Sequence, residues 1–199
     1  GTPDELKETE YCQMIILAVS EDAGIRIIID TLLDSCKSNK MPIKKAAASL
    51  LSVFCINSPG DYSNHIPQLL NGLMLLLSEH DKEILVRAWD ALNAVTKTLD
   101  SAQQIAHVSD VRDAVKSATI NLPPNSELPG FCLPKGIAPL LPVFREGILN
   151  GAPEEKECAA QSLGEVIALT SATSLQPSVV HITGPLIRIL GDRFNSGVK

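Results

Sequence analysis

The sequence predicts an all-α fold, an α-solenoid of stacked helical hairpins, on three observations. Hydrophobic residues make up 45% of the 199 residues but aromatics only 4%, so the core must be built from aliphatic side chains at close range, which favours helices over sheets. Small and aliphatic residues recur along the chain at helical spacing. Proline, glycine and asparagine fall between these segments, where hairpins need breaks.

The recurrence carries the argument. Ala46, Ser49, Leu50 and Val53 return as Ala88, Ala91, Leu92 and Val95, and again as Ala159, Ser162, Leu163 and Val166, at offsets of 42 and 71 residues. Positions i, i+3, i+4 and i+7 form one narrow stripe, and its small members let a second helix approach. Cys12, Ile15, Ile16 and Val19 form a weaker copy. A second amphipathic segment precedes each full copy: Ile27, Ile28 and Leu32; Leu69, Leu70, Leu73 and Leu77; Leu140, Leu141, Phe144 and Ile148. A further one opens at Pro185, Leu186 and Ile187. Helix pairs at this period are what HEAT-like or armadillo-like solenoids use, here about four to five repeats.

Breakers and caps place the elements in order. Thr2-Pro3-Asp4-Glu5 reads as a capping box with proline at the first helical position, Met41-Pro42 and Ala152-Pro153 repeat the proline start, and Asp81 or His80 caps the helix that carries Trp89. Gly60-Asp61 and Asn150-Gly151 mark turns. Helices are predicted over 4–19, 24–37, 42–57, 65–78, 82–99, 136–149, 153–171 and 178–193. Gln103 to Ile120 reads as a short degenerate hairpin capped by Ser109. Residues 122–136, LPPNSELPGFCLPKG, read as a Pro-rich insertion, an ordered loop lying on the solenoid, because Phe131, Cys132 and Leu133 stand together in it. The whole of 1–199 reads as one HEAT-repeat domain, expected to be a segment of a longer chain.

Several function classes lose ground. A formal charge of −6 argues against direct nucleic-acid binding, which needs clustered cations. Cys12, Cys36, Cys55, Cys132 and Cys158 are odd in number and lack C-x-x-C spacing, so they read as reduced core residues of a cytoplasmic protein with no metal. The four histidines are scattered and read as surface or cap residues. There is no Gly-rich phosphate loop, no apolar run of ~20 residues to cross a bilayer, and no sign of a cofactor. The chain is expected not to be an enzyme.

The residues left for a partner surface cluster on two segments. In VRAWDALNAVTK, Arg87, Asp90 and Lys97 fall opposite the Ala88/Ala91/Leu92/Val95 stripe, with Arg87 outside and an intrahelical pair to Glu83 or Asp90 as its bland role. Trp89 lies beside the stripe and is expected chiefly to pack between repeats, yet arginine beside tryptophan is also a hot-spot composition. Lys44 and Lys45 are weaker candidates in a basic group with Lys37 and Lys40. The positions that carry the inter-repeat Arg–Asp ladder of HEAT repeats hold Leu85 and Glu79, so that ladder is expected to be absent here. A linear-peptide groove would repeat Asn and Trp along successive units, and Trp89 has only Ala47 and Ala160 as its counterparts.

GFCLPKGIAPLLPVFREGILNGAPEEKECAAQSLGEVIALTS (Gly130 to Ser171) and LVRAWDALNAVTKTLD (Leu85 to Asp100) closely resemble the family of general-control-nonderepressible translational activators. The resemblance covers essentially the whole chain. It implies a non-enzymatic binding module that recruits the RWD domain of the kinase acting on the alpha subunit of translation initiation factor two, with other RWD-domain proteins competing for the surface. It also implies that the full-length chain sits on ribosomes, promoting kinase activation in the integrated stress response. A generic HEAT adaptor for a linear peptide or another helical protein is the alternative.

Overall fold

The computed structural model describes residues 1–196, with side-chain surroundings described through Gly191. Eleven α-helices succeed one another among the described residues: α1 Pro3–Leu17, α2 Asp22–Ser35, α3 Met41–Asn57, α4 Ile66–Leu76, α5 Lys82–Lys97, α6 Ser101–Ala106, α7 Val108–Thr119, α8 Leu141–Asn150, α9 Pro153–Ala168, α10 Ala172–Leu175 and α11 Val179–Ser196. The predicted all-α solenoid is what they form. Helix α2 pairs with α3, α4 with α5 and α8 with α9, while α3 stacks on α5, α7 on α4 and α9, α6 on α8, and α11 on α8.

Local chemistry sets the starts. Thr2 and Glu5 close the capping box, with the Glu5 N–H donating to Thr2 Oγ1 and the Thr2 N–H to Glu5 Oε2. Asp81 Oδ1 accepts from the Ile84 N–H at 3.1 Å and caps α5. At the turn after α3, Tyr62 is buried and donates its hydroxyl to the Cys55 carbonyl at 2.8 Å. Its ring tilts against Phe54 at 6.0 Å between centroids.

Two stripes match expectation and one does not. Ala88, Ala91, Leu92 and Val95, and likewise Ala159, Ser162, Leu163 and Val166, are buried. In α3 the buried residues are Ala47, Ala48, Leu51, Ser52, Phe54 and Cys55, whereas Ala46 is exposed and Ser49, Leu50 and Val53 are half-buried. Within them Ala48, Leu51, Ser52 and Cys55 keep the i, i+3, i+4, i+7 spacing, 40 residues before Ala88, Ala91, Leu92 and Val95 and not 42, and in that register Ser49 matches Trp89. AAASLLSVF is apolar on almost every side, so periodicity alone does not pick its inner face; packing on α5 does. Helix α2 buries Ile25, Ile29, Leu32 and Leu33, and Ile27 is 65% exposed. Helix α1 buries none of its residues, so its weaker stripe is largely at the surface.

Other expectations are corrected in the same way. Only His107 separates α6 from α7, too short a link to reverse direction, so 101–119 is a bent helix and not a hairpin. Ser109 lies exposed within α7, and His107 sits at the bend with its Nδ1 2.8 Å from Asp110 Oδ2. His65 is buried, with Nε2 3.3 Å from Asp22 Oδ1, because the turn before α4 folds under α2. Pro185 falls inside α11 instead of opening it. Helix α8 begins at Leu141, five residues later than predicted, since Lys135 to Leu140 run as consecutive turns. All five cysteines are free, but only Cys36 and Cys55 are buried; Cys12 is exposed, and Cys132 and Cys158 are intermediate.

The Pro-rich insertion is part of the core and does not merely lie on it. Leu128 and Phe131 are fully buried. The Gly130 N–H donates to the Leu77 carbonyl at the end of α4 (2.8 Å), and the Leu128 N–H to the Leu169 carbonyl at the end of α9 (2.9 Å). A 3-10 turn over Pro129–Cys132 rests on α5 and α10. The insertion is thus packed beside α5 and tied to the ends of α4 and α9. At Gly130 a Cβ would come within 2.6 Å of Leu77 Cβ, which explains the glycine.

Candidate protein-binding surface

Helix α5 presents the candidate residues, and its neighbours frame them. Arg87 is exposed and Asp90 half-buried, with Lys97 exposed two turns on; the spacing i, i+3, i+10 sets them along one side. Among the described residues no carboxylate lies within ion-pair reach of Arg87 or Lys97. The pair expected between Glu83 and Arg87 does not form. Glu83 is drawn instead to Lys45 Nζ of α3, at 3.4 Å, together with Asp81 at 3.3 Å. Lys45 is raised above its ordinary value by hydrogen bonds to Asp81 and then Glu83. Asp81 is lowered first by the Ile84 N–H it caps and, among further causes, by Lys45.

Lys44 and Lys45 are thereby accounted for. Lys44 Nζ is 2.5 Å from Glu79 Oε1, with its side chain 15% exposed. These contacts tie α3 to Glu79, Asp81 and Glu83 at the start of α5. The Arg–Asp pair of a HEAT ladder is not among them, since the arginine position holds the buried Leu85. A third bridge joins α7 to α9 through Arg112 Nη2 and Glu165 Oε1 at 3.1 Å.

A shallow open groove runs between α3 and α5. Cys55 and Ile56 line it from α3, and Asp90, Asn93, Ala94, Lys97 and Thr98 from α5 and its C-terminus. Its wall is amphipathic: Ile56 is 53% exposed, and Asp90 and Lys97 bring opposite charges. Cys55, although it touches this groove, is pushed by burial to about 12 and stays a thiol. An open groove of this kind excludes little water and suits contact with a macromolecule better than turnover of a small substrate.

Trp89 does something the sequence did not reveal. It is half-buried against the core, and its indole N–H donates to the Lys135 carbonyl of the insertion at 3.1 Å. Its hydrogen-bond partner thus lies in the insertion, 46 residues away. A hint was available, since a half-buried indole seeks an acceptor and the turn Leu133 to Gly136 offers carbonyls that no helix uses. The pairing across 46 residues could not be chosen from spacing.

Among the described residues no three metal-ligating side chains gather, and no helix is long and apolar enough to cross a membrane. The family model described as stalled ribosome sensor GCN1-like, HEAT repeats, matches residues 1–135. Stalled ribosome sensor GCN1 of Mus musculus is 50% identical over the whole of this chain, and protein ILITYHIA of Arabidopsis thaliana 34%. The eIF-2-alpha kinase activator GCN1 of Saccharomyces cerevisiae is 28% identical over 93% of it. The chain spans about 8% of the length of the first two and 7% of the third. No solved structure matches it. By the family model and by identity along its whole length, this chain belongs to the GCN1-like HEAT-repeat family.

Proposed function

We propose that this chain is a non-catalytic docking module that recruits the RWD domain of the kinase acting on the alpha subunit of translation initiation factor two, within a larger ribosome-associated activator of the cytoplasm. Relatives named as eIF-2-alpha kinase activators and stalled ribosome sensors support an activating scaffold. The observation that carries the docking reading is Arg87: an exposed guanidinium on α5 with no carboxylate within ion-pair reach among the described residues, the Glu83 one turn before it being held by Lys45 of α3. A cation left without a partner on a rigid helix is preorganised for one supplied in trans. Asp90 and Lys97 extend the contact along the groove, and Trp89 supports it from behind. Lys44 and Lys45, already paired with Glu79, Asp81 and Glu83, are the weaker members of the contact.

The test is binding of this chain to the purified RWD domain, with Arg87→Glu as the variant. The expected result is loss of about tenfold or more in affinity, with helical content and melting temperature unchanged because Arg87 is exposed. Undiminished binding by a folded Arg87→Glu chain removes Arg87 from the surface.

A further inference from the structure

The exposed strip of α5 is bounded on both sides, and the two boundaries differ. Arg87 and Trp89 are two residues apart, about 200° around a helix, so Arg87 borders α3 while Trp89 borders the insertion. Between them Val86, Asp90, Asn93 and Lys97 form the outward strip. The far boundary is fixed with unusual care. Lys135 adopts a φ of 55°, a left-handed conformation disfavoured for lysine that persists only where the surroundings impose it. Its carbonyl accepts from the Ala138 N–H at 3.0 Å and from the Trp89 indole at 3.1 Å. At the next residue, Gly136, a Cβ would come within 2.4 Å of the Phe131 carbonyl. The backbone is therefore pinned from three sides, while the Lys135 side chain is exposed and no carboxylate of the described residues lies within ion-pair reach of it.

We propose that the insertion forms the far edge of the α5 docking surface, with Lys135 contacting an acidic partner surface and Trp89 acting as the positioning residue that holds Lys135 in place. Charge supports the choice of partner: on a chain of net charge −6, this face carries three cations, Arg87, Lys97 and Lys135, against the single carboxylate Asp90, and among the described residues none of the three has a carboxylate within ion-pair reach. The inference rests on the docking reading above and adds the insertion to the surface.

The test uses two probes, the isolated RWD domain and poly-L-glutamate, against this chain and its Lys135→Glu, Trp89→Phe and doubly substituted variants. Lys116→Glu, at an exposed position of α7, is the charge-matched control. Lys135→Glu is expected to weaken both probes by about five- to tenfold, and Lys116→Glu by less than about twofold. Trp89→Phe keeps the ring and removes the donor, so a loss of about threefold is expected, together with faster amide exchange at Lys135 and Gly136. In the Lys135→Glu background Trp89→Phe should have no further effect on binding, which a merely structural role would not produce. If Lys135→Glu leaves both probes unchanged while Arg87→Glu still weakens the RWD domain, the insertion is not part of the surface and the docking reading stands. If only poly-L-glutamate binds, in a Lys135-dependent way, the RWD assignment fails and the acidic-partner face stands. If neither probe binds, both fall.

Discussion

Replacing Gly130 by alanine tests whether the insertion is built into the core. The new Cβ would lie 2.5 Å from Leu77 Cδ2, 2.6 Å from its Cβ and 2.9 Å from its Cγ. Leu77 is fully buried and cannot swing aside into solvent. Overpacking a filled core costs about 1–3 kcal/mol, and displacing the strand of insertion stretches the Gly130 N–H to Leu77 carbonyl bond of 2.8 Å, worth about 1 kcal/mol. The sum is about 2–4 kcal/mol, a fall in melting temperature of roughly 5–15 °C for a chain of this size. Gly164→Ala is the internal control, since a Cβ there meets nothing within 4 Å. On an exposed helical site it should instead stabilise by about 0.5–1 kcal/mol. Thermal and urea denaturation followed by circular dichroism read both. A Gly130→Ala chain as stable as the parent would mean that the insertion is not packed against Leu77, and the account of the insertion as part of the core would fail with it.

Two further outcomes follow from titrating groups. Asp81 is held below the ordinary aspartate value of 3.8, first by the Ile84 N–H, so its cap contributes stability that is complete above that value and is lost as pH falls through the lower folded one. Asp81→Asn keeps an acceptor and loses the charge; the difference in stability between the two chains, measured from pH 7 to pH 2, should therefore shrink only below about pH 4, and a constant difference would refute the role of the carboxylate. Burial pushes Cys55 to about 12 and Cys36 to about 11, whereas Cys12 is exposed. A thiol reagent at pH 8 should modify Cys12 first and reach Cys36 and Cys55 only as the chain unfolds; early labelling of Cys55 in the folded chain would contradict the packing of α3 on α5.

What the amino-acid order determined by itself is much of what depends on neighbours within one or two helical turns, although the expected intrahelical pair of Arg87 does not form and Ser109 caps no helix. Capping at Thr2 and Asp81, the proline starts at Pro42 and Pro153, and the buried stripes of α5 and α9 all follow from local spacing, as does the exposure of Arg87. Local order was ambiguous where a helix is apolar on all sides. In α3 the inner face is set by which helix lies across from it, so Ala48 and Cys55 displaced Ala46 and Val53. Tertiary structure alone decided the rest of the surface. Lys44 and Lys45 looked like free cations until α3 met Glu79, Asp81 and Glu83 of the next repeat, and Trp89 gained its acceptor only when the insertion folded back beside α5. Contacts of that kind join residues dozens of positions apart, and their energies depend on distances between elements that no periodicity encodes.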